Sequence, residues 1–502
     1  MTNSWMNRLG DWNPQLLREY RGRIKMRSVI AAVALSAIAQ VFLLLLFSQD
    51  DDHLTSQQQW SDLWVSLTWI LPYALFTVGS YYLVSDLTQE EKRGTLNFIR
   101  LSPYPASKIL LGKLLGVPAL PYLTIALFIP LHFVSALGAG ISLLFMLSFY
   151  VLLIAGCIFC YSAAMLYGLV GSTSFGLANR QTTTAIAFTA IAFLLVSPLF
   201  MFWNINVVWR SFSNLPISLS SNTDFPSWFY IPLSSNAGFA HGFTLLNLGI
   251  STAIIWRILL RRFRQPRSTV LSKRQSYAIS AYLEVFVLGF FLEPSGLNVG
   301  GGAAEGFFMY VFTAILLLIL MFGICPQRQA LLDWLRYQSQ GRQSLMWADK
   351  SPILLAILIH ILIATALLLP WFLMTNFGRQ YLVETVIAYV SIVNTLLICG
   401  VLIQQILAAK IRNPLVWAIG VLGLWLVVPP TLLGLLRLVP TNIPATTIIW
   451  TFFGYPYWHF TEQNNLSFTV LGIVAQSLLL AFLLWRFAQT LRRLKIGTQS
   501  WR

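Results

Sequence analysis

Charge is what this sequence lacks. Asp, Glu, Lys and Arg make up 10% of its 502 residues, whereas soluble globular domains carry about 25%. With 57% hydrophobic residues and a mean hydropathy of +0.70, a soluble globule is excluded. Acid is scarcest, at 17 Asp+Glu against 33 Lys+Arg. Cysteine is limited to Cys157, Cys160, Cys325 and Cys399, all in apolar runs or at their ends, so no outer disulfide is implied. Cys157-x-x-Cys160 has no second ligand pair and reads as small apolar packing rather than a metal or redox site. Catalytic signatures are missing too. Leu111-Gly112-Lys113-Leu114 lacks the upstream glycine and the hydroxyl of a phosphate loop. There is no H-E-x-x-H, no G-x-S-x-G and no carboxylate pair inside an apolar run. The chain is expected not to be an enzyme and to hold no cofactor or metal of its own.

What is present is a series of long apolar runs. A hydrocarbon core of roughly 30 Å needs about 20 helical residues, and the runs are continuous, without the in–out alternation of barrel strands. They predict an all-α polytopic membrane protein with spans at 29–48, 63–85, 114–136, 141–170, 183–204 and 238–260. The second half offers 307–324, 352–374, 384–408, 413–436 and 466–488, with a weaker run at 277–292 that carries Glu284. If that run crosses, 30 of the 33 Lys+Arg fall on one side, leaving Arg210, Arg379 and Arg437. The positive-inside bias therefore favours twelve spans with both termini in the cytoplasm. The net charge of +16 then serves orientation and anionic headgroups, so the bilayer is its partner and no nucleic acid is needed. The first run follows six basic residues and has no small-residue cleavage site, which reads as a retained anchor.

Two ionisable residues fall deep within the runs, Glu284 and His360. A carboxylate at depth costs roughly 2.5–3.5 kcal/mol on insertion scales, which makes both residues candidates for a pathway. The simpler alternatives are a hydrogen-bonded packing role for His360 and contact with water or Arg379 for Glu284.

Internal repetition shows in the loops. At an offset of 236 residues, TLNFIR (95–100) faces LLDWLR (331–336), and ASK at 106–108 faces ADK at 348–350. A short basic turn with Arg180 or Arg412 precedes the fifth span of each half. Long outer segments rich in aromatics and proline, 205–237 and 437–465, follow it. Residues 1–265 and 266–502 thus read as two six-span modules in the same orientation.

The stretch EEKRGTLNFIRLSPYPASKILLGK, Glu90 to Lys113, is the most charged loop. Thr95/Leu96 and Phe98/Ile99 make an apolar stripe, with Glu90, Glu91, Lys92, Arg93 and Arg100 on the remaining surface, and Thr88 followed by Glu91 reads as a capping box. The periodicity predicts an amphipathic helix over 88–101, stopped by Ser102-Pro103 and Tyr104-Pro105. Gly94 would admit a close neighbour or simply weaken the helix.

That stretch resembles the cytoplasmic loop of type 2 ABC exporter permeases, matching at Glu90 or Glu91, Gly94, Thr95, Leu96, Ser102, Pro103, Gly112 and Lys113. The resemblance implies a coupling helix, including Phe98, Ile99 and Arg100, that docks on a cytoplasmic ATP-binding subunit. It also implies a cytoplasmic (inner) membrane of bacterial type. ATP and Mg²⁺ would be bound by that partner, in two copies. The second half keeps only Leu331, Leu332, Trp334, Leu335 and Arg336 with the ADKSP lead into the next span, so its coupling helix departs from the pattern. The cargo implied is amphipathic, lipid-like or polymeric, with Trp69, Phe76, Phe188 and Phe193 as candidate lining. A twelve-span secondary carrier with parallel halves would be expected to show ionisable groups facing a central cavity and the Gly-x-x-x-Asp-Arg-x-Gly-Arg loop that major facilitator proteins carry between spans two and three, and the sequence reads as having neither. An envelope-polymer enzyme would need gathered outer acids, where only Asp224, Glu293, Glu305 and Glu462 are scattered.

Overall fold

A computed structural model of the chain describes residues 8–47, 55–174, 181–209, 227–266, 268–292, 303–337, 345–375, 382–455 and 466–499. Arg180, Arg210, Arg342 and Arg379 lie outside the described residues, as do 210–226 and 456–465 of the two outer segments. Among the described residues, eleven helices are long and apolar enough to cross a membrane, so the chain is an all-α multi-pass membrane protein. It folds as two compact units, Met1–Pro226 with Pro232–Arg267, and Ser227–Ile231 with Ser268–Arg502.

The first unit begins with a short helix, α1 (Pro14–Arg23), started by Asn13, whose Oδ1 accepts from the Leu16 amide at 3.1 Å. An uninterrupted apolar sequence makes α2 (Met26–Phe47), exposed on most of its faces. Thr55 and Gln58 close a reciprocal capping box that starts α3 (Ser56–Lys92). At 37 residues, α3 is about 55 Å long and outruns a hydrocarbon core of roughly 30 Å. Its last turns therefore project beyond the apolar layer. After the short α4 (Thr95–Arg100) come α5 (Ala106–Gly116) and α6 (Ala119–Gly138). The expected span at 114–136 is thus divided at Val117–Pro118, because proline cannot continue the backbone ladder. The unit is completed by α7 (Leu143–Ser174), α8 (Gln181–Ile191), α9 (Ser197–Trp203) and α10 (Ala237–Arg264), with a π-turn, Ala192–Val196, joining α8 to α9. Within it α3 packs on α2, α6, α7 and α8, while α2 packs on α6, α7 on α10 and α1 on α5.

The second unit starts at another capping box, Ser272 with Gln275, which opens α11 (Lys273–Leu288). This is the weak run at 277–292. Its 16 α-helical residues and the single turn Gly289–Phe291 leave it outside the eleven. There follow α12 (Ala303–Ile324), α13 (Arg328–Tyr337), α14 (Leu354–Met374) and α15 (Leu382–Ala408). The unit ends with α16 (Pro414–Leu426), α17 (Val428–Leu435), α18 (Thr447–Phe452) and α19 (Leu466–Gln499). In it α11 packs on α12 and α14, α12 on α14 and α15, and α15 on α14, α16 and α19.

Candidate functional site

The loop after α3 is built from a backbone that turns sharply. Gly94 sits at φ +75°, a left-handed conformation, and its N–H donates to the Glu91 carbonyl at 3.0 Å. A Cβ there would meet nothing within 4 Å. Glycine is therefore required by the dihedral angle and not by a close neighbour. The helix of the loop is α4 alone, and the expected start at Thr88 is wrong. Thr88 is buried inside α3, where its hydroxyl donates to the carbonyls of Val84 at 2.7 Å and Ser85 at 3.1 Å. A hydroxyl bonded back one turn leaves the helix running, so the pair Thr88/Glu91 caps nothing; the break comes at Gly94. Ser102-Pro103-Tyr104-Pro105 ends α4 as expected.

α4 is two-faced, but its faces differ from the expected stripe. Leu96 and Ile99 point inward, at 0% and 7% exposed, whereas Phe98 and Leu101 are 79% and 85% exposed. Thr95 is also outward, with its hydroxyl bonded to the Glu90 carbonyl at 3.2 Å. Arg100 ties the end of α4 down. It pairs with Glu91 at 3.2 Å, bonds Asn97 Oδ1 at 2.7 Å, and sits 5.6 Å from the centre of the Phe263 ring on α10.

Beneath α4 lies a charge cluster that local sequence patterns do not display. Lys113 of α5 is wholly buried, with Nζ 2.6 Å from Asp86, 2.8 Å from Glu90 and 3.6 Å from Glu19. Arg23 of α1 bonds Glu19 at 3.2 Å and also pairs with Asp86, while Arg18 bonds Glu19 at 3.2 Å and also pairs with Glu90. Ligand atoms of the three carboxylates lie within 4.8 Å of one another, a spacing that suits a cation, and the cation among them is the Lys113 ammonium. Burial disfavours that ammonium, but Asp86, Glu90 and Glu19 more than offset it and hold the Lys113 pKa above its ordinary value. The cluster binds α1 and α5 to the projecting end of α3. Of its members Glu90 and Lys113 stood in the loop motif, whereas Glu19, Asp86, Arg18 and Arg23 were missed. One signal was available: a lysine inside the apolar run ILLGKLLGV needs a carboxylate partner.

The other helix singled out, α13, is also seated by its apolar residues. Leu331, Trp334 and Leu335, spaced three and four apart, are buried with Ala408 at the end of α15, and Leu491 and Leu494 of α19 close over them. Arg328 donates to the Ala408 carbonyl at 3.0 Å. Leu332 is half-buried and Arg336 exposed. A Cys325-Pro326-Gln327 link stands where the first unit has its left-handed glycine.

Glu284 and His360 fall on neighbouring helices of the second unit, both buried. Glu284 accepts from the Thr313 hydroxyl at 3.1 Å, and His360 Nε2 is 3.1 Å from Ser276 Oγ, its ring 5.0 Å from that of Tyr277. Glu284 is fully buried rather than water-facing. Of the candidate lining aromatics, Phe76 and Phe188 pack inside the first unit against Phe200 and Tyr167, and Trp69 and Phe193 are partly exposed. The four cysteines are buried and free, with Cys160 Sγ 3.4 Å from Ser80 Oγ.

No family model, curated protein or solved structure matches this chain.

Proposed function

We propose that the chain is the membrane-spanning permease of an ATP-driven exporter of the ABC type, powered by separate ATPase subunits that dock on α4 and α13. The observation that carries the reading is the form of α4. A left-handed glycine and a proline stop isolate a short helix whose inward residue Leu96 is 0% exposed while Phe98 and Leu101 stand out at 79% and 85%. Exposed aromatic and aliphatic side chains on a helix fixed to a charged base suit a protein partner. In this reading the energy comes from the partner subunits, because the sequence carries no phosphate loop.

In this reading residues 1–265 and 266–502 are two six-span modules, with both termini in the cytoplasm and α11 as the twelfth span. Supporting the repeat, α2·α6, α3·α6, α3·α7 and α7·α10 in the first unit have counterparts in α11·α14, α12·α14, α12·α15 and α15·α19. A bacterial inner membrane suits this arrangement, and an amphipathic, lipid-like or polymeric cargo is the class proposed. The test is whether an adjacent gene encodes an ATPase with a Walker A motif that co-purifies with this chain and whose ATP hydrolysis the chain stimulates. Phe98→Asp should abolish both while leaving insertion normal. Proton-driven transport by the chain alone in liposomes would overturn the reading in favour of a secondary carrier.

A further inference from the structure

The second unit contains a buried polar stripe for which motor docking has no use. Lys273, Ser276, Ser280 and Glu284 recur at intervals of three, four and four residues along α11, all 0% exposed. That spacing places them on one helical face. Facing them are His360 on α14, bonded to Ser276, and Thr313 on α12, bonded to Glu284. Tyr389 on α15 is near enough to act electrostatically on Glu284 and is itself bonded to Thr365 of α14. Among the described residues, three buried polar atoms along this seam have no hydrogen-bond partner: Ser280 Oγ, Glu284 Oε1 and His360 Nδ1. More than nine in ten buried polar groups are satisfied in folded proteins, and these three orphans leave room for bridging water between α11 and α14.

The two ends of the seam differ. Lys273 Nζ donates to Ser351 Oγ at 2.5 Å and to the carbonyls of Leu345 and Pro352, each at 3.1 Å, at the foot of α14. Beyond Glu284 the other end is closed by Leu288, Met309 and Trp371, with Phe291 and Phe372 packed against them. Glu284 lies eleven residues of helix from Lys273, or about 16 Å.

We propose that Glu284 is a proton-binding site, loaded from the Lys273 end of α11 through Ser276, His360 and Ser280. Full burial leaves no room beside the carboxyl for an organic ligand, and among the described residues no lysine or arginine acts on it. A carboxylate so placed would be an uncompensated buried charge, whereas a carboxylic acid needs only hydrogen-bond partners. A proton arriving from water passes onto one nitrogen of His360 and leaves from the other. Water bridging these unpartnered atoms carries it to the Ser280 hydroxyl, which takes it up and releases its own proton through water towards Glu284, where an O–H bond forms at Oε1. Charge changes by one at the carboxyl and nothing is oxidised or reduced. This site does not depend on the exporter reading, since neither an ATPase nor a cargo takes part.

Infrared spectroscopy of the purified protein at neutral pH tests it. The wild-type minus Glu284→Gln difference should contain the C=O stretch of a protonated carboxylic acid, lost in the variant. Thr313→Val, which swaps a hydroxyl for a methyl of similar size, should shift the band to higher frequency by removing a hydrogen bond. Transfer to D2O should move the band in the wild type, and more slowly in His360→Phe and Ser280→Ala. Loss of carboxylate bands alone in Glu284→Gln would overturn the proposal. So would an acid band that Thr313→Val leaves unmoved, an outcome that remains readable if Glu284→Gln does not fold.

Discussion

Replacing Lys113 by methionine keeps most of the buried stem and removes the charge. In the cluster, Glu19, Asp86 and Glu90 supply three negative charges, and Lys113, Arg18 and Arg23 supply three positive ones. Lys113→Met leaves one negative charge in excess where the side chains of Glu19, Asp86 and Glu90 are 7%, 13% and 13% exposed. Removing one partner of a buried ion pair costs about 3–5 kcal/mol. The loss should appear as a lower unfolding temperature in detergent and faster proteolysis after Arg21 and Arg23, because α1 is held to α3 and α5 through this cluster. Adding Asp86→Asn restores neutrality. The double variant should then be more stable than the two single losses combined, with a coupling of about 1–3 kcal/mol. A Lys113→Met protein that unfolds at the wild-type temperature, or additive single and double losses, would refute the electrostatic account of this joint.

Further outcomes follow from the same geometry. Because the folded Lys113 pKa lies above the ordinary 10.5, its stabilisation is fully present below about 10.5 and fades only above it. The gap in unfolding temperature between wild type and Lys113→Met should therefore stay constant from neutral pH to near pH 10, as a pH series of melting curves would show. Gly94→Ala should cost about 1 kcal/mol through its left-handed backbone, with Gly94→Asn milder, measured by the protease sensitivity of the loop. Leu96→Asp should disorder α4 because Leu96 is buried, whereas Phe98→Asp should leave the loop as protease-resistant as wild type and abolish partner binding. Trp334→Ala should cost about 3–5 kcal/mol and release α13 from α15 and α19, read as cleavage at Arg336.

The spans were legible because a membrane-crossing helix is written in consecutive residues. Eight of the twelve runs reappear as single helices with shifted ends, while 183–204 carries a π-turn between α8 and α9, 413–436 divides at Val427 into α16 and α17, 114–136 is cut at Pro118 and 277–292 begins earlier, at its Ser272 cap. Helix length beyond the apolar layer was not legible, since the polar turns of α3 from Asp86 to Lys92 read equally well as loop. The same limit misplaced the start of α4, where a capping-box pattern inside a continuing helix outweighed the glycine that ends it. The coupling stripe was half legible: Leu96 and Ile99 are inward, but Thr95 and Phe98 are not. The Lys113 cluster was hidden for a different reason. Its acids stand 94, 27 and 23 residues before the lysine, so only tertiary packing of α1, α3 and α5 brings them together.

The central claim is that α4 receives force from a separate ATPase. Its most direct measurement is the rate of ATP hydrolysis by that subunit in proteoliposomes containing wild-type chain, Phe98→Asp chain or none. The account predicts stimulation by the wild type and a rate with Phe98→Asp no higher than that of the subunit alone. Equal stimulation by both chains, or none by the wild type, would contradict it.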